Sequence, residues 1–142
     1  MIDELADEIN DKANQVHVIL APATGAWIPA RIIRDKINAD ELYSILIGTK
    51  EVFTELPVNV EGKVVLIIDD IADSGKTLQI LENICVDAEA KEVITATLFW
   101  KDTSIIIPRF KNTRVHPDIW VVFPWEGKED TIRDRDIKSE SK

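Results

Sequence analysis

Three carboxylates and a small-polar turn share one stretch of the chain, Val64-Val65-Leu66-Ile67-Ile68-Asp69-Asp70-Ile71-Ala72-Asp73-Ser74-Gly75-Lys76-Thr77-Leu78. The five residues Val64 to Ile68 are all β-branched or leucine, which suits a strand covered on both faces, as in a parallel sheet, because a half-exposed strand would alternate. Asp69 and Asp70 then stand at the strand's carboxyl end, where open α/β sheets bind ligands. Ser74, Gly75, Lys76 and Thr77 follow, and their backbone N–H groups would open a helix predicted from Thr77 to about Asp87. Unpaired donors, the helix dipole and the hydroxyls together suit one phosphate-sized anion.

Carboxylates beside such a cradle repel an anion lying across them, so they must face something neutral or cationic, such as a sugar diol or Mg²⁺. A phosphorylated ribose with a metal has that polarity. A P-loop fits less well, because it needs a glycine at position 70, where the chain has Asp70, and an acid there opposes a triphosphate. A receiver domain carries its acidic pair after the first strand, whereas two earlier strands are predicted here. Helix capping by Asp70 or Asp73 accounts for one acid, not for three beside a Gly-Lys-Thr turn.

Two apolar residues, Asp69-Asp70, two more apolar residues and Asp73-Ser74-Gly75-Lys76-Thr77 form a pattern that resembles the phosphoribosyl-pyrophosphate (PRPP) signature of type I phosphoribosyltransferases. Trp120-Val121-Val122-Phe123-Pro124-Trp125-Glu126 resembles the base-binding segment of xanthine-guanine and related purine phosphoribosyltransferases. The similarity runs from about Val16 to Glu126. It implies a type I phosphoribosyltransferase-like, Rossmann-like α/β fold, with a mainly parallel sheet flanked by helices and a short hood. It also implies transfer of a phosphoribosyl group from PRPP to a purine base, giving a nucleoside 5′-monophosphate and pyrophosphate, with Mg²⁺ as cofactor.

By the same resemblance, Asp69 and Asp70 would hold the ribose hydroxyls and Mg²⁺, and Asp73 would accept the base's proton. Ser74, Gly75, Lys76 and Thr77 would bind the 5′-phosphate, and Lys101, Trp120 and Val121 would choose the base. An ammonium is a donor only, so Lys101 predicts a 6-oxopurine rather than adenine. Pyrophosphate would sit at the breaker-rich turn Ala21 to Ala30, through Thr24 and Gly25. The family usually has Arg-Gly-Gly there, and this chain has Thr24-Gly25-Ala26. A nucleotide-binding or regulatory member that keeps the phosphate cradle without efficient transfer is therefore the second reading.

With 142 residues the chain can bury roughly two-thirds of its unfolded surface in one domain, expected over residues 1–126. From Gly127 the sequence alternates acid and base with almost no apolar residue, which predicts a frayed tail over 127–142. A net charge of −9 and the lack of basic clusters exclude a nucleic-acid surface and point to a small-molecule partner. Cys85 is the single cysteine and forms no internal bridge, so a reducing compartment fits. There is no bilayer-length apolar run and the N-terminus is acidic, so a cytoplasmic protein without membrane partners is expected. A homodimer is expected.

The elements that must position these residues follow from periodicity. Ile2, Leu5, Ala6, Ile9 and Ala13 recur at helical spacing. Val16 to Leu20 reads as the first strand, and His17 within it as a packing residue. Pro29 suits the first turn of a helix whose buried side would be Ile28, Ile32, Ile33 and Ile37. Tyr43 to Ile47 is the predicted second strand, and Gly48 to Gly62 the hood, with its tip over Thr49 to Glu55 and Leu56-Pro57-Val58 returning as a strand. After the central strand, Leu78, Leu81, Ile84, Cys85 and Ala88 mark the buried stripe of the next helix, and Glu92 to Phe99 a fourth strand. Ile105 to Pro108 reads as a buried turn or short strand, and Ile119 to Phe123 as the last strand.

Overall fold

Val64 to Ile68 are buried throughout and begin β3 (Val64–Ala72), the middle strand of a five-stranded sheet. The structure, a computed structural model, describes residues 1–22, 25–47 and 55–124. Within them the order is α1 (Ile2–Lys12), β1 (Val18–Pro22), α2 (Trp27–Ile37), β2 (Glu41–Ile45), β3, α3 (Lys76–Asp87), β4 (Glu92–Trp100) and β5 (Phe110–Arg114). Every strand pair is parallel, in the order β2-β1-β3-β4-β5. The α/β fold with a parallel sheet and flanking helices is thus the one expected from the apolar run.

Alternate residues of β3 feed two cores. Val64, Leu66 and Ile68 join Leu5 and Ile9 of α1 and Ala30 and Ile33 of α2 on one side. Val65 and Ile67 join Leu78, Leu81 and Cys85 of α3 on the other. The chain runs from β1 outward to β2 and then returns to place β3 on β1's opposite side. The crevice between the carboxyl ends of β1 and β3 is therefore the topological switch point, the usual ligand position in such sheets.

Several elements depart from the sequence reading. Strands β1 and β2 each lie two residues away from expectation, with Ala21 and Pro22 pairing to Ser44 and Ile45. Pairing of β1 with β3 ends at Leu20, so Pro22 sits where the missing N–H costs no bond to β3. The buried side of α2 is Pro29, Ala30, Ile33 and Ile37, while Ile28 and Ile32 are exposed. Those two lie one position before Pro29 and Ile33, which rotates them onto the flank of the helix. No strand forms at Leu56-Pro57-Val58; Leu56 and Val58 pack instead against the α3-side core. The rest of the expected hood tip, up to Thr54, lies outside the described residues.

The fifth strand is Phe110–Arg114, not Ile119 to Phe123, which has no regular secondary structure. Ile105 and Ile107 are exposed, so that segment is a surface turn rather than a buried one, anchored by buried Ser104 and Pro108. Trp125, Glu126 and the expected tail over 127–142 lie outside the described residues.

Cys85 is fully buried against the sheet, and burial, with Glu82 nearby, pushes its thiol up to about 11. The folded state then keeps its proton where the unfolded chain has lost it, so stability is expected to fall as pH rises from about 9 to 11. Alkylation of Cys85 by iodoacetamide at pH 8 should be negligible in native buffer and complete in denaturant. Rapid labelling of the folded protein would contradict the packing of α3 on β3.

Candidate active site

β3 continues through both carboxylates, so Asp69 and Asp70 belong to the end of the strand itself rather than to the loop after it. The Asp70 N–H donates to Asp69 Oδ1 at 2.8 Å, and the Ile71 N–H donates to Asp70 Oδ1 at 2.8 Å. Burial first, and then the adjacent Asp70, hold the Asp69 carboxyl well above the usual carboxylate range. The β1–α2 turn closes on the same point: a β-carbon on Gly25 would lie 2.5 Å from Asp70 Oδ2. A side chain at position 25 would therefore displace the Asp70 carboxylate from where it stands. Thr24 lies outside the described residues.

Beyond Ala72 the chain turns at Asp73 and Ser74 and enters α3 through Gly75, whose φ of 81° is in the left-handed region. Asp69, Asp73, Ser74, Gly75 and Thr77 line a cavity of ≈ 80 Å³ at the start of α3. The side chain of Lys76 is exposed, and its N–H donates to Ser74 Oγ at 3.3 Å. The cradle therefore offers backbone donors and hydroxyls, with Lys76 at its outer edge.

A second, larger cavity of ≈ 210 Å³ adjoins it, lined by Asp70, Ile71, Asp73, Lys101, Trp120, Val121 and Phe123. Asp73 lines both. Lys101 is only 2% exposed, with Nζ donating to Pro117 O at 3.2 Å and lying 3.5 Å from Asp73 Oδ1. A lysine is almost never so buried without partners, and here a carbonyl and a carboxylate serve. Trp120 and Val121 reach this cavity from an irregular segment, with Phe123 anchored edge-on against Phe99 at 5.5 Å between ring centroids.

The structure thus gathers Gly25, Asp69, Asp70, Asp73, Ser74, Gly75, Thr77, Lys101, Trp120 and Val121 at one end of the sheet. Sequence reasoning missed the Pro117 carbonyl that orients Lys101, and Phe123 as a wall of the larger cavity. No signal pointed to the carbonyl, whereas the unbroken apolar run Trp120-Val121-Val122-Phe123 could have flagged Phe123.

Among the described residues, no three His, Cys, Asp or Glu side chains form a cluster able to hold a metal. Asp69 and Asp70 nonetheless fit Mg²⁺. That ion is usually held by one or two carboxylates and completes its shell with substrate oxygens and water, and a cation offsets both the burial and the Asp70 charge that raise Asp69. Without a cation, folding must keep that carboxyl protonated or bury its charge. The folded state holds the proton through a pH range where the unfolded chain has released it, so stability falls as pH rises through that range. Asp69→Asn is therefore expected to raise the thermal midpoint at pH 7 in divalent-free buffer. A lowered midpoint would mean that the carboxylate is stabilised, not strained, by its surroundings.

Residues 1–130 match the phosphoribosyl transferase domain family. A xanthine-guanine phosphoribosyltransferase from Desulfotalea psychrophila is 28% identical over 115 residues, covering 76% of this chain and 69% of that protein. Another, from Cereibacter sphaeroides, is 25% identical over 126 residues, covering 74% and 72%. Among solved structures, the purine phosphoribosyltransferase of Pyrococcus horikoshii superposes with a TM-score of 0.78 at 28% identity, covering 89% of this chain and 86% of that one. The family match runs over residues 1–130 of the 142, well over half of the chain, and the chain belongs to the phosphoribosyl transferase domain family.

Proposed function

We propose that the chain is a cytoplasmic purine-salvage transferase that moves the phosphoribosyl group of PRPP onto a 6-oxopurine base, releasing pyrophosphate. The observation that carries this reading is Lys101, buried at 2% exposure beside Asp73, in a cavity that shares Asp73 with the phosphate-sized one. A base in the larger cavity and a 5′-phosphate in the smaller would flank the ribose. The xanthine-guanine enzymes and the purine enzyme similar to it support the purine class.

In this reading the N–H groups and hydroxyls of Ser74 to Thr77 bind the 5′-phosphate, and Asp69 and Asp70 hold the ribose hydroxyls. The same two carboxylates would hold Mg²⁺, which neutralises charge on the departing pyrophosphate. A purine nitrogen forms the bond to C1′ as the bond from C1′ to pyrophosphate oxygen breaks. Asp73 accepts the proton that the purine nitrogen loses, and its charge stabilises the cationic sugar in the transition state. Trp120 stacks on the base, the Val121 main chain meets its edge, and Lys101 donates to its 6-oxygen. Thr24 and Gly25 take the pyrophosphate side. The exposed flank of α2, with Trp27, Ile28 and Ile32, supports a homodimer.

The test is incubation with PRPP, Mg²⁺ and guanine, hypoxanthine, xanthine or adenine, with nucleotide and pyrophosphate both measured. Both products are expected with the oxopurines. Binding of guanosine monophosphate without turnover would favour the second reading, a nucleotide-binding member, which Thr24 in place of the family's usual arginine supports. Neither binding nor turnover would overturn both.

A further inference from the structure

Three successive carbonyls of the phosphate turn are taken by the loop that follows β4. The Lys101 N–H donates to Ala72 O at 3.0 Å, Thr103 Oγ1 to Asp73 O at 3.4 Å, and the Ile105 N–H to Ser74 O at 2.8 Å. In a planar trans peptide the C=O and the following N–H point in opposite directions. Tying the carbonyls of 72, 73 and 74 to this loop therefore turns the N–H groups of Asp73, Ser74 and Gly75 away from it. Those same residues line the smaller cavity.

The loop's own shape depends on Ser104. It is 7% exposed, its N–H donates to Lys101 O at 3.0 Å, and its Oγ donates to Ile106 O at 2.6 Å. That hydroxyl closes the turn that aims the Ile105 N–H at Ser74 O. The turn also presses on Gly75: Ser104 Oγ occupies the space of a β-carbon there, with Ile106 N and Ile105 N 2.8 and 2.9 Å from the same point.

We infer that Thr103 and Ser104 are positioning residues of the 5′-phosphate cradle, bracing its carbonyls from behind so that its N–H groups stand ready for the anion. This rests on the reading of Ser74 to Thr77 as a phosphate site. Because the same loop begins at Lys101, one segment positions both the cradle and the lysine of the base cavity. Neither Thr103 nor Ser104 lines either cavity, so their effect on a ligand passes through the turn.

The experiment is calorimetric titration of guanosine monophosphate and guanosine into the wild type, Thr103→Val, Thr103→Ser and Ser104→Ala. Losing one modest hydrogen bond behind the turn should weaken the monophosphate about fivefold to tenfold in Ser104→Ala and about twofold to threefold in Thr103→Val. Guanosine affinity should stay constant, because the Ser104 N–H bond to Lys101 O is main chain and survives. Thr103→Ser keeps its hydroxyl and should restore the monophosphate. Thr103 is exposed, so its variants decide the matter even if Ser104→Ala fails to fold. Equal losses for both ligands, or full retention of the monophosphate preference in the folded variants, would overturn the brace alone. A wild type that binds both ligands equally would overturn the phosphate site and the brace together.

Discussion

Gly75→Ala is expected to abolish measurable binding of guanosine monophosphate and to lower the thermal midpoint by about 10–15 °C. A φ of 81° costs a residue with a β-carbon about 1–2 kcal/mol. The added methyl would also meet Ile106 N at 2.8 Å and Ile105 N at 2.9 Å, besides Ser104 Oγ. Two of those atoms are main chain and cannot swing aside as a side chain could, so the 104–106 turn or the cradle itself must move. Either movement breaks the bond from the Ile105 N–H to Ser74 O. Strain, overpacking and one lost bond together come to about 3–5 kcal/mol. Gly62 supplies the control, since its φ of 68° is also left-handed but nothing lies within 4 Å of its β-carbon position. Gly62→Ala should cost only the strain itself, about 1–2 kcal/mol, and leave binding intact. Equal effects of the two substitutions, measured by thermal unfolding and calorimetry, would show that the loop does not press on the cradle.

The cradle was legible in the sequence because its chemistry is local: strand, carboxylates, glycine and helix start lie within Val64 to Leu78. Residues 110–114 were not legible as a strand. Phe110-Lys111-Asn112-Thr113-Arg114 carries one apolar residue, and as an edge strand it needs a core side chain only at Phe110, which is 2% exposed. Ile119 to Phe123 has the composition of a strand, but the chain has just turned at His116, whose carbonyl accepts the Ile119 N–H at 3.0 Å. The segment then uses Phe123 and, partly, Val121 to close the site, leaving Ile119 and Val122 exposed. Apolar content reports burial, not pairing. The two-residue offset of β1 has a similar origin, because Pro22 reads as a breaker until the pairing of β1 with β3 is known to end at Leu20. Lys101 shows the limit most sharply: its place at a strand's carboxyl end was readable, but its burial depends on the carbonyl of Pro117, sixteen residues later.

That burial sets the expected result for Lys101→Met, which should collapse a preference for 6-oxopurine over adenine nucleotides of about tenfold or more to about threefold or less. An ammonium carries three N–H donors and no acceptor. Pro117 O at 3.2 Å takes one of them and Asp73 Oδ1, 3.5 Å away, balances the charge, which leaves a donor suited to an oxygen in the larger cavity. The exocyclic amine of adenine would meet it donor to donor and leave a buried charge short of a partner, a cost larger than a normal hydrogen bond is worth. Methionine has nearly the same length and no charge, so it fills the space without choosing between oxygen and amine. Folding should suffer little, because removing a buried charge saves its desolvation cost while Pro117 O loses its donor. Asp73 stays solvated, with its side chain 43% exposed. Ribose 5-phosphate, which reaches only the cradle and the carboxylates, should bind the variant and the wild type alike. Calorimetry with inosine and adenosine monophosphates, alongside a thermal scan, separates the outcomes. A wild type that prefers adenosine monophosphate, or a folded Lys101→Met protein with unchanged selectivity, would mean that Lys101 braces Asp73 and the Pro117 loop without reading the base.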